Sequence, residues 1–228
     1  MAEVIHTPWI KPQEARLHQE FRLTPHTIFL MHLNEGAGAV AADASIHGND
    51  GAITLATWVP GRIGSGLRFN GLANVTIPDS PIFNGLVEIT VEVFMTPANV
   101  AAGNRRIVSR RNDWFVRQEA AEIRWYINGG AINFATVTGP LTAGVESYVS
   151  CTYDGSIAWI NVDGVRLVSS AIVTPIPPSA NPIEIGRFNP PSSELYIGDL
   201  DEIHMQNRAI SYGEEIAHFN SSQLARQL

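Results

Sequence analysis

The chain has 228 residues, of which 45% are hydrophobic and 16% charged, a balance typical of a globular protein and unlike that of a disordered one. Its formal net charge of −7 argues against a nucleic-acid-binding face, because phosphate binding needs concentrated positive charge. No apolar run is long enough to span a bilayer, so we expect no membrane insertion. A single cysteine excludes an intrachain disulfide.

Residues 1–26 are predicted to form an N-terminal arm, because three prolines interrupt any regular element there. Trp9, Leu17 and Phe21 are its apolar anchors. We expect them to contact either the chain's own body or a protein partner, such as a second copy in a homo-oligomer. The segment has no apolar region of signal-peptide type. This predicts assembly in the cytoplasm or in a virion, with non-classical export as the alternative.

Past the arm, many short apolar runs separated by turn residues predict a single all-β domain over residues 27–228. The clearest strand is Val87–Met95, in which Ile89, Val91, Val93 and Met95 would face one way. Asp154-Gly155 and Asp163-Gly164 each have the composition of a two-residue type I′ turn, which predicts two hairpins.

The C-terminal region carries the most specific pattern. Gly198–Ile203 reads GDLDEI, and Asn207–Ile216 reads NRAISYGEEI. Ser211 and Glu214 have the spacing of a capping box, which predicts one short helix after the last strand. Together these runs resemble the C-terminal signature of laminin-G-like jelly-roll domains, in the concanavalin A-like lectin/glucanase superfamily.

Further blocks of the same family occur in order over roughly residues 27–220, including Asp43–Gly51, Trp58–Gly71 and the two Asp-Gly turns. One departure is Glu146, which stands where the family usually has a tryptophan. The resemblance implies an antiparallel jelly-roll sandwich of two sheets with one short C-terminal helix.

The resemblance also implies a structural calcium site. Calcium prefers carboxylate and carbonyl oxygens from irregular loops. Asp43 and Asn49 lie in such a loop, and Asp201 lies on the predicted closing strand nearby. These three are the expected ligands. The alternative is that Asp43 caps a turn and Asp201 pairs with an arginine.

Other metal-binding or nucleophilic residue types carry weaker signals. His32, His47 and His204 have no recognised zinc spacing and are expected to be surface or turn residues. Cys151 shares a strand face with apolar neighbours, so we expect a buried structural thiol and no nucleophile.

Two carboxylate pairs are reminiscent of the catalytic strands of glucanases. Glu88 and Glu92 lie four residues apart on one strand face, but Thr90 stands where an aspartate is usual. Asp199 and Asp201 form the second pair. For both pairs we favour carboxylates on a solvated face, and so predict no enzyme activity.

Aromatic and planar polar residues could form a sugar-binding platform. The candidates are Trp114, Trp125, Arg110 and Asn128. Trp125 and Tyr126 point to opposite faces of one strand, so at least one of them is expected in the core.

The function favoured by these observations is a non-catalytic, lectin-like attachment or structural module on a larger assembly, such as a decoration or tail protein of a bacteriophage virion. The alternative is a calcium-assisted carbohydrate-binding module at a cell surface. A glucanase-like hydrolase is the third hypothesis.

Overall fold

The structure, a computed structural model, describes residues 20–128, 134–137, 139–171, 175–188 and 194–223. Over these ranges it contains two eight-stranded sheets, a 3-10 turn and one α-helix. The strands are β1 (Thr27–Met31), β2 (Val40–Ala41), β3 (Gly51–Thr54), β4 (Thr57–Pro60), β5 (Ser65–Asn70), β6 (Asn74–Ile77), β7 (Ile89–Pro97), β8 (Asn104–Arg110), β9 (Trp114–Glu119), β10 (Glu122–Ile127), β11 (Phe134–Val137), β12 (Ser147–Tyr153), β13 (Ile157–Val162), β14 (Val165–Ala171), β15 (Ile183–Ile185) and β16 (Ile197–Gln206), and the helix is α1 (Tyr212–Gln223). The predicted all-β sandwich is confirmed.

The first sheet, called the front sheet, contains β14, β13, β12, β7, β16, β5 and β4 in that order, and β1 joins it by pairing with β16. One edge of β16 pairs with β7. On its other edge, residues 197–200 pair with β5 and residues 203–206 pair with β1. The first and last strands of the sandwich are therefore direct neighbours.

A bulge interrupts β16 where its partner changes. The register with β7 shifts between Asp201 and His204, and Glu202 has a left-handed φ of +50°. Bulges re-aim side chains at such points. Here Asp201 accepts hydrogen bonds from the loop after β4, whereas Glu202 faces the segment before β1.

The second sheet, called the back sheet, has the order β11, β10, β9, β8, β15, β6, β3, β2. The core lies between the two sheets. The apolar residues that alternate along β7 from Ile89 to Met95 point into it, as predicted. Trp114 and Trp125 of the back sheet are fully buried there, with ring centroids 5.9 Å apart.

The outer face of the front sheet is covered by α1 and by the chain just before β1. Phe21 stacks on Phe94 with ring centroids 5.4 Å apart, and Tyr148 lies beside both rings. Phe219 of α1 packs against the same cluster. The described end of the predicted arm therefore packs on the chain's own sandwich, whereas Trp9 and Leu17 lie outside the described residues.

The start of α1 has the predicted capping box. The backbone N–H of Glu214 donates to Ser211 Oγ at 3.2 Å, and the Ser211 N–H donates to Glu214 Oε2 at 2.8 Å. A hydrogen bond from Arg208 lowers the pKa of Glu214 to about 2, so this carboxylate is charged at neutral pH. Both orphan backbone donors are thereby satisfied.

The two predicted hairpin turns differ from each other. Asp163 and Gly164 have φ values of +50° and +85°, so this type I′ turn is confirmed. Between β12 and β13 the connection has a third residue, Ser156, and Asp154 Oδ1 accepts the N–H groups of Ser156 and Ile157. The prediction of a two-residue turn there was wrong, because the aspartate side chain builds its own turn.

Candidate functional site

The structure brings Asp43 and Asn49 together in one tightly bonded loop. Asp43 Oδ1 accepts the N–H groups of Leu30 and Ser45 at 3.0 and 2.8 Å. Its Oδ2 accepts the Ser45 hydroxyl and the Asn49 N–H at 2.7 and 2.8 Å. The Asn49 amide donates to the Ile28 carbonyl. These hydrogen bonds fasten the loop to β1.

Asp201 contacts a different loop. Its Oδ2 accepts the backbone N–H groups of Arg62 and Ile63, and its Oδ1 accepts that of Glu202. Burial, with the charge of Glu202, raises the pKa of Asp201 to about 8 in spite of these donors. The loop comes this close because Gly61 has no side chain: a Cβ there would lie 2.6 Å from Asp201 Oδ2.

These contacts do not fit the predicted calcium ligands. Calcium needs six to eight oxygens that point at one position. The oxygens of Asp43 already accept two hydrogen bonds each, and Asp201 accepts its bonds from another loop. The structure agrees better with the alternative of a turn-capping Asp43. Asp201 is held by the backbone of Arg62 and Ile63, and among the described residues no arginine side chain forms the ion pair that the alternative expected; the Arg62 side chain pairs with Glu146.

The predicted sugar-binding residues do not form an accessible platform. Trp114, Trp125 and Arg110 are each 0% exposed. The two tryptophans belong to the core, and Arg110 forms ion pairs with Asp79 and Asp113 beneath the surface. Only Asn128 of the four is exposed. The choice was therefore wrong for these three, because strand alternation places both tryptophans in the core and the ion pairs of Arg110 hold it below the surface.

The predicted solvated carboxylates are not all solvated. Glu92 is fully buried beneath α1, where Oε1 accepts the Tyr148 hydroxyl at 2.6 Å and lies 2.7 Å from His218 Nδ1. Burial alone would raise the pKa of Glu92, but hydrogen bonds and charge from His204 and His218 hold it well below its usual range. Glu88 instead accepts the Ala209 N–H. The polar face of β7 is covered, so the expectation of a solvated Glu92 was wrong.

An open cleft remains on the outer face of the front sheet, next to Phe94. It has a volume of about 150 Å³ and lies between the loop after β4 and the starts of β12 and β16. The Arg62 side chain is only 3% exposed, and its Nη1 donates to Glu146 Oε1 at 2.5 Å. Its guanidinium lies over the Phe94 ring, 4.2 Å from the centroid.

The guanidinium of Arg62 keeps spare donors in this cleft. Its Nε and Nη2 are buried and have no hydrogen-bond partner among the described residues. Buried donors are normally satisfied, so these two nitrogens, which carry three N–H groups, lack an acceptor within the described part of the chain. Asp199 and Thr96 add acceptors at the wall.

A second, more apolar cleft of about 590 Å³ adjoins the first, and Thr96 and Asp199 line both. Its other walls include Phe69, Pro97 and Ile197. We call the two clefts together the outer groove. Arg68 closes one side through a bidentate ion pair with Asp199 at 2.7 and 2.8 Å.

Sequence reasoning missed Arg62 and used Glu146 only as a departure from the family pattern. The two residues are 84 positions apart, and only the pairing of β5, β16, β7 and β12 brings their strands together. The one available signal was the unusual glutamate itself, because a charged residue at a position that is usually tryptophan needs a partner.

The sheet order, the covered outer face and the polar groove define the chain as a lectin-like β-sandwich module. The chain belongs to the Concanavalin A-like lectin/glucanases superfamily, whose sequence profile matches residues 69–217. No curated protein sequence matches the chain.

Solved structures with the same fold include binding domains. One is the binding domain of Paraclostridial Mosquitocidal Protein 1, with a TM-score of 0.68 and 13% identity over 86% of this chain. Another is domain 4 of AbnA, a GH43 extracellular arabinanase from Geobacillus stearothermophilus, in complex with arabinotriose; it has a TM-score of 0.66, 12% identity and coverage of 87% of this chain and 98% of that one.

A third similar structure is a Trypanosoma rangeli sialidase mutant that displays trans-sialidase activity, with a TM-score of 0.66 and 16% identity over 89% of this chain. The chain spans only 52% of the mosquitocidal protein's binding domain and 34% of the sialidase. At these identities the likeness shows the fold alone. Within the described part of the chain, α1 is too short and too polar to cross a membrane.

Proposed function

We propose that the chain is a non-catalytic, lectin-like attachment module that binds a glycan in the outer groove. The observation that carries this proposal is Arg62, a buried arginine at the wall of an open cleft, whose Nε and Nη2 have no hydrogen-bond partner among the described residues. Such donors have to find acceptors, and a ligand rich in hydroxyl groups supplies them.

The chemistry of the groove suits a sugar in three ways. Arg62 can donate to hydroxyl oxygens, while the carboxylate of Asp199 can accept from hydroxyl hydrogens. Ile197 and Ala98 in the second cleft offer apolar surface for C–H groups. The volumes of the two clefts, about 150 and 590 Å³, would accommodate more than one sugar unit.

Two observations support binding without catalysis. Glycoside hydrolysis uses two accessible carboxyl groups that flank the scissile bond. Glu92, one member of the glucanase-like pair, is buried beneath α1, and the oxygens of Asp201 are held by three backbone N–H groups. The fold is also shared with domain 4 of the arabinanase AbnA, whose structure is a complex with arabinotriose.

A glycan array with the full chain tests the proposal. We expect a hit whose affinity falls about tenfold or more in Asp199→Asn and in Arg62→Lys, because each removes charge-assisted hydrogen bonds. Glu122→Gln, on β10 of the opposite sheet, is the matched control and should bind like the parent. The glycan that binds should not be cleaved on prolonged incubation. Absence of any hit, or a hit that both groove variants retain, would contradict the proposal.

We further propose that the module serves a larger assembly, such as a virion, through residues 1–19. The docking of Phe21 on the chain's own sandwich supports an arm that is anchored at its C-terminal end. Light scattering of the full chain and of a deletion of residues 1–19 tests it, because the deletion keeps Phe21. We expect the full chain to be an oligomer and the deleted chain to be a folded monomer. The same oligomeric state in both chains would refute this role.

A further inference from the structure

We propose that Glu20, His32 and Glu202 form a binding site for a divalent transition-metal ion, with Zn²⁺ as its best probe. One ligand atom from each residue lies within 4.8 Å of the other two. His32 Nδ1 lies 2.8 and 3.0 Å from the two Glu202 carboxylate oxygens. None of the three residues lines the outer groove, and none is a predicted calcium ligand.

The fold holds the three residues from three different segments. His32 directly follows β1, and Glu202 sits at the bulge of β16 that turns its side chain toward β1. Glu20 lies just before Phe21, whose backbone N–H donates to Glu202 Oε2 at 2.9 Å. The Asn34 amide donates to Glu20 Oε1 at 2.8 Å and so orients that carboxylate. Hydrogen bonds from neighbouring residues commonly orient the side chains that bind a metal.

The local charge favours a cation. Glu202 is 0% exposed, and His32 is the only basic side chain that forms an ion pair with it among the described residues. Among the other fully buried carboxylates in these ranges, Asp113 pairs with Arg110 and Glu215 with Arg166, whereas Glu92 lies between two histidines. Glu20 adds a second negative charge beside the one imidazole. A divalent ion would offset this excess of negative charge.

The mixed donor set decides the type of ion. Calcium and magnesium take oxygen ligands, whereas Zn²⁺ accepts imidazole nitrogen with carboxylate oxygen at about 2.0–2.2 Å. Two ligands at that distance stand about 3 Å apart, which the His32–Glu202 separation already matches. The ion would replace the proton on His32 Nδ1, and that proton would be released to solvent.

The site is also accessible. The His32 side chain is 24% exposed and Glu20 is exposed, so an ion can enter and water can complete its coordination. A bound ion would tie Glu20, at the start of the described chain, to the first and last strands of the sandwich. Metal binding would therefore stabilise the docking of residues 20–24.

The experiment uses the full chain, freed of metal by a chelator, with ZnCl₂ as the titrant in calorimetry and in thermal unfolding. We expect one equivalent to bind and to raise Tm. The affinity should fall about tenfold or more in His32→Gln and in Glu20→Gln. His47→Gln, which changes an exposed histidine outside the cluster, is the control and should bind zinc like the parent. Glu202 is left intact, because a change at a fully buried residue could unfold the chain.

Cobalt supplies a readout that folding alone does not mimic. Co²⁺ bound to mixed nitrogen and oxygen ligands gives visible absorption, which should appear in the parent and in His47→Gln and be lost in His32→Gln. The proposal is overturned if the parent binds no zinc at millimolar concentration, or if His32→Gln and Glu20→Gln both bind it like the parent. Glycan binding measured without added metal is expected to be the same in these variants as in the parent, so the two proposals can fail separately.

Discussion

Phe21 gives the sharpest test of whether the chain before β1 is an integral part of the sandwich. The side chain is 5% exposed and lies against Phe94, Tyr148 and the rings of His204 and His218. Truncation of a buried phenylalanine to alanine costs about 3–5 kcal/mol. Because the segment lies at the surface and can partly relax, we expect Phe21→Ala to lower the free energy of unfolding by about 3 kcal/mol.

Urea denaturation followed by tryptophan fluorescence measures this loss. Leu23→Ala is the matched control, because it lies two residues away and is 50% exposed; its cost should stay within about 0.5 kcal/mol. A double-mutant cycle with Phe94→Ala should give a coupling energy of about 0.5–1.5 kcal/mol for the stacked rings. A loss below about 1 kcal/mol for Phe21→Ala would refute the reasoning, since it would mean that the segment detaches easily.

Three further outcomes follow from the described contacts. Ser211→Ala should cost about 1 kcal/mol in urea denaturation, because it removes half of the capping box with Glu214. Although burial lowers the pKa of His218, the hydrogen bond and charge of Glu92 raise it overall. The stabilisation that protonated His218 gains from Glu92 is complete below the unfolded pKa of about 6.5 and is lost as pH rises through the raised pKa. The loss of unfolding free energy in His218→Gln should therefore be larger near pH 6 than near pH 9. Calcium should leave the Tm of the parent unchanged; a rise that Asp201→Asn removes would support the calcium site instead.

Local sequence signals predicted the elements that local chemistry determines. The alternation along β7 identified its core face, and the capping box placed the start of α1. Both depend on residues within a few positions of one another. Alternation distinguishes the two faces of a strand, but it does not reveal what covers the polar one. The burial of Glu92 therefore could not be read from β7 itself.

The sugar-binding prediction shows how a usable signal was overlooked. Ile123, Trp125 and Ile127 alternate along β10 and all lie in the core. That period places Trp125 inside and Tyr126 outside, where Tyr126 stacks on Phe115 with ring centroids 4.2 Å apart. The prediction that one of the two neighbouring aromatic residues is buried was right. The assignment of Trp125 to a ligand site was wrong, because residue type was weighed above alternation.

The residues of the outer groove could not be found by spacing, because their partners come from distant parts of the chain. Arg62 meets Glu146 only after β5, β16, β7 and β12 have paired. The same holds for Glu20, His32 and Glu202, which depend on the antiparallel register of β1 with β16. A histidine and two glutamates so far apart have no motif, and only the sheet brings them into contact.

Phe94 belongs both to the cluster covered by Phe21 and to the wall of the outer groove. Phe21 stacks on the Phe94 ring with the two ring centroids 5.4 Å apart. The Arg62 guanidinium lies over the same ring, 4.2 Å from its centroid. The segment that covers the buried cluster therefore also supports the arginine that is proposed to bind ligand. Deletion of residues 1–19 keeps Phe21 and should leave glycan affinity unchanged, whereas deletion of residues 1–26 should weaken it. Equal affinity in both truncated chains would show that Arg62 holds its position without the support of Phe21.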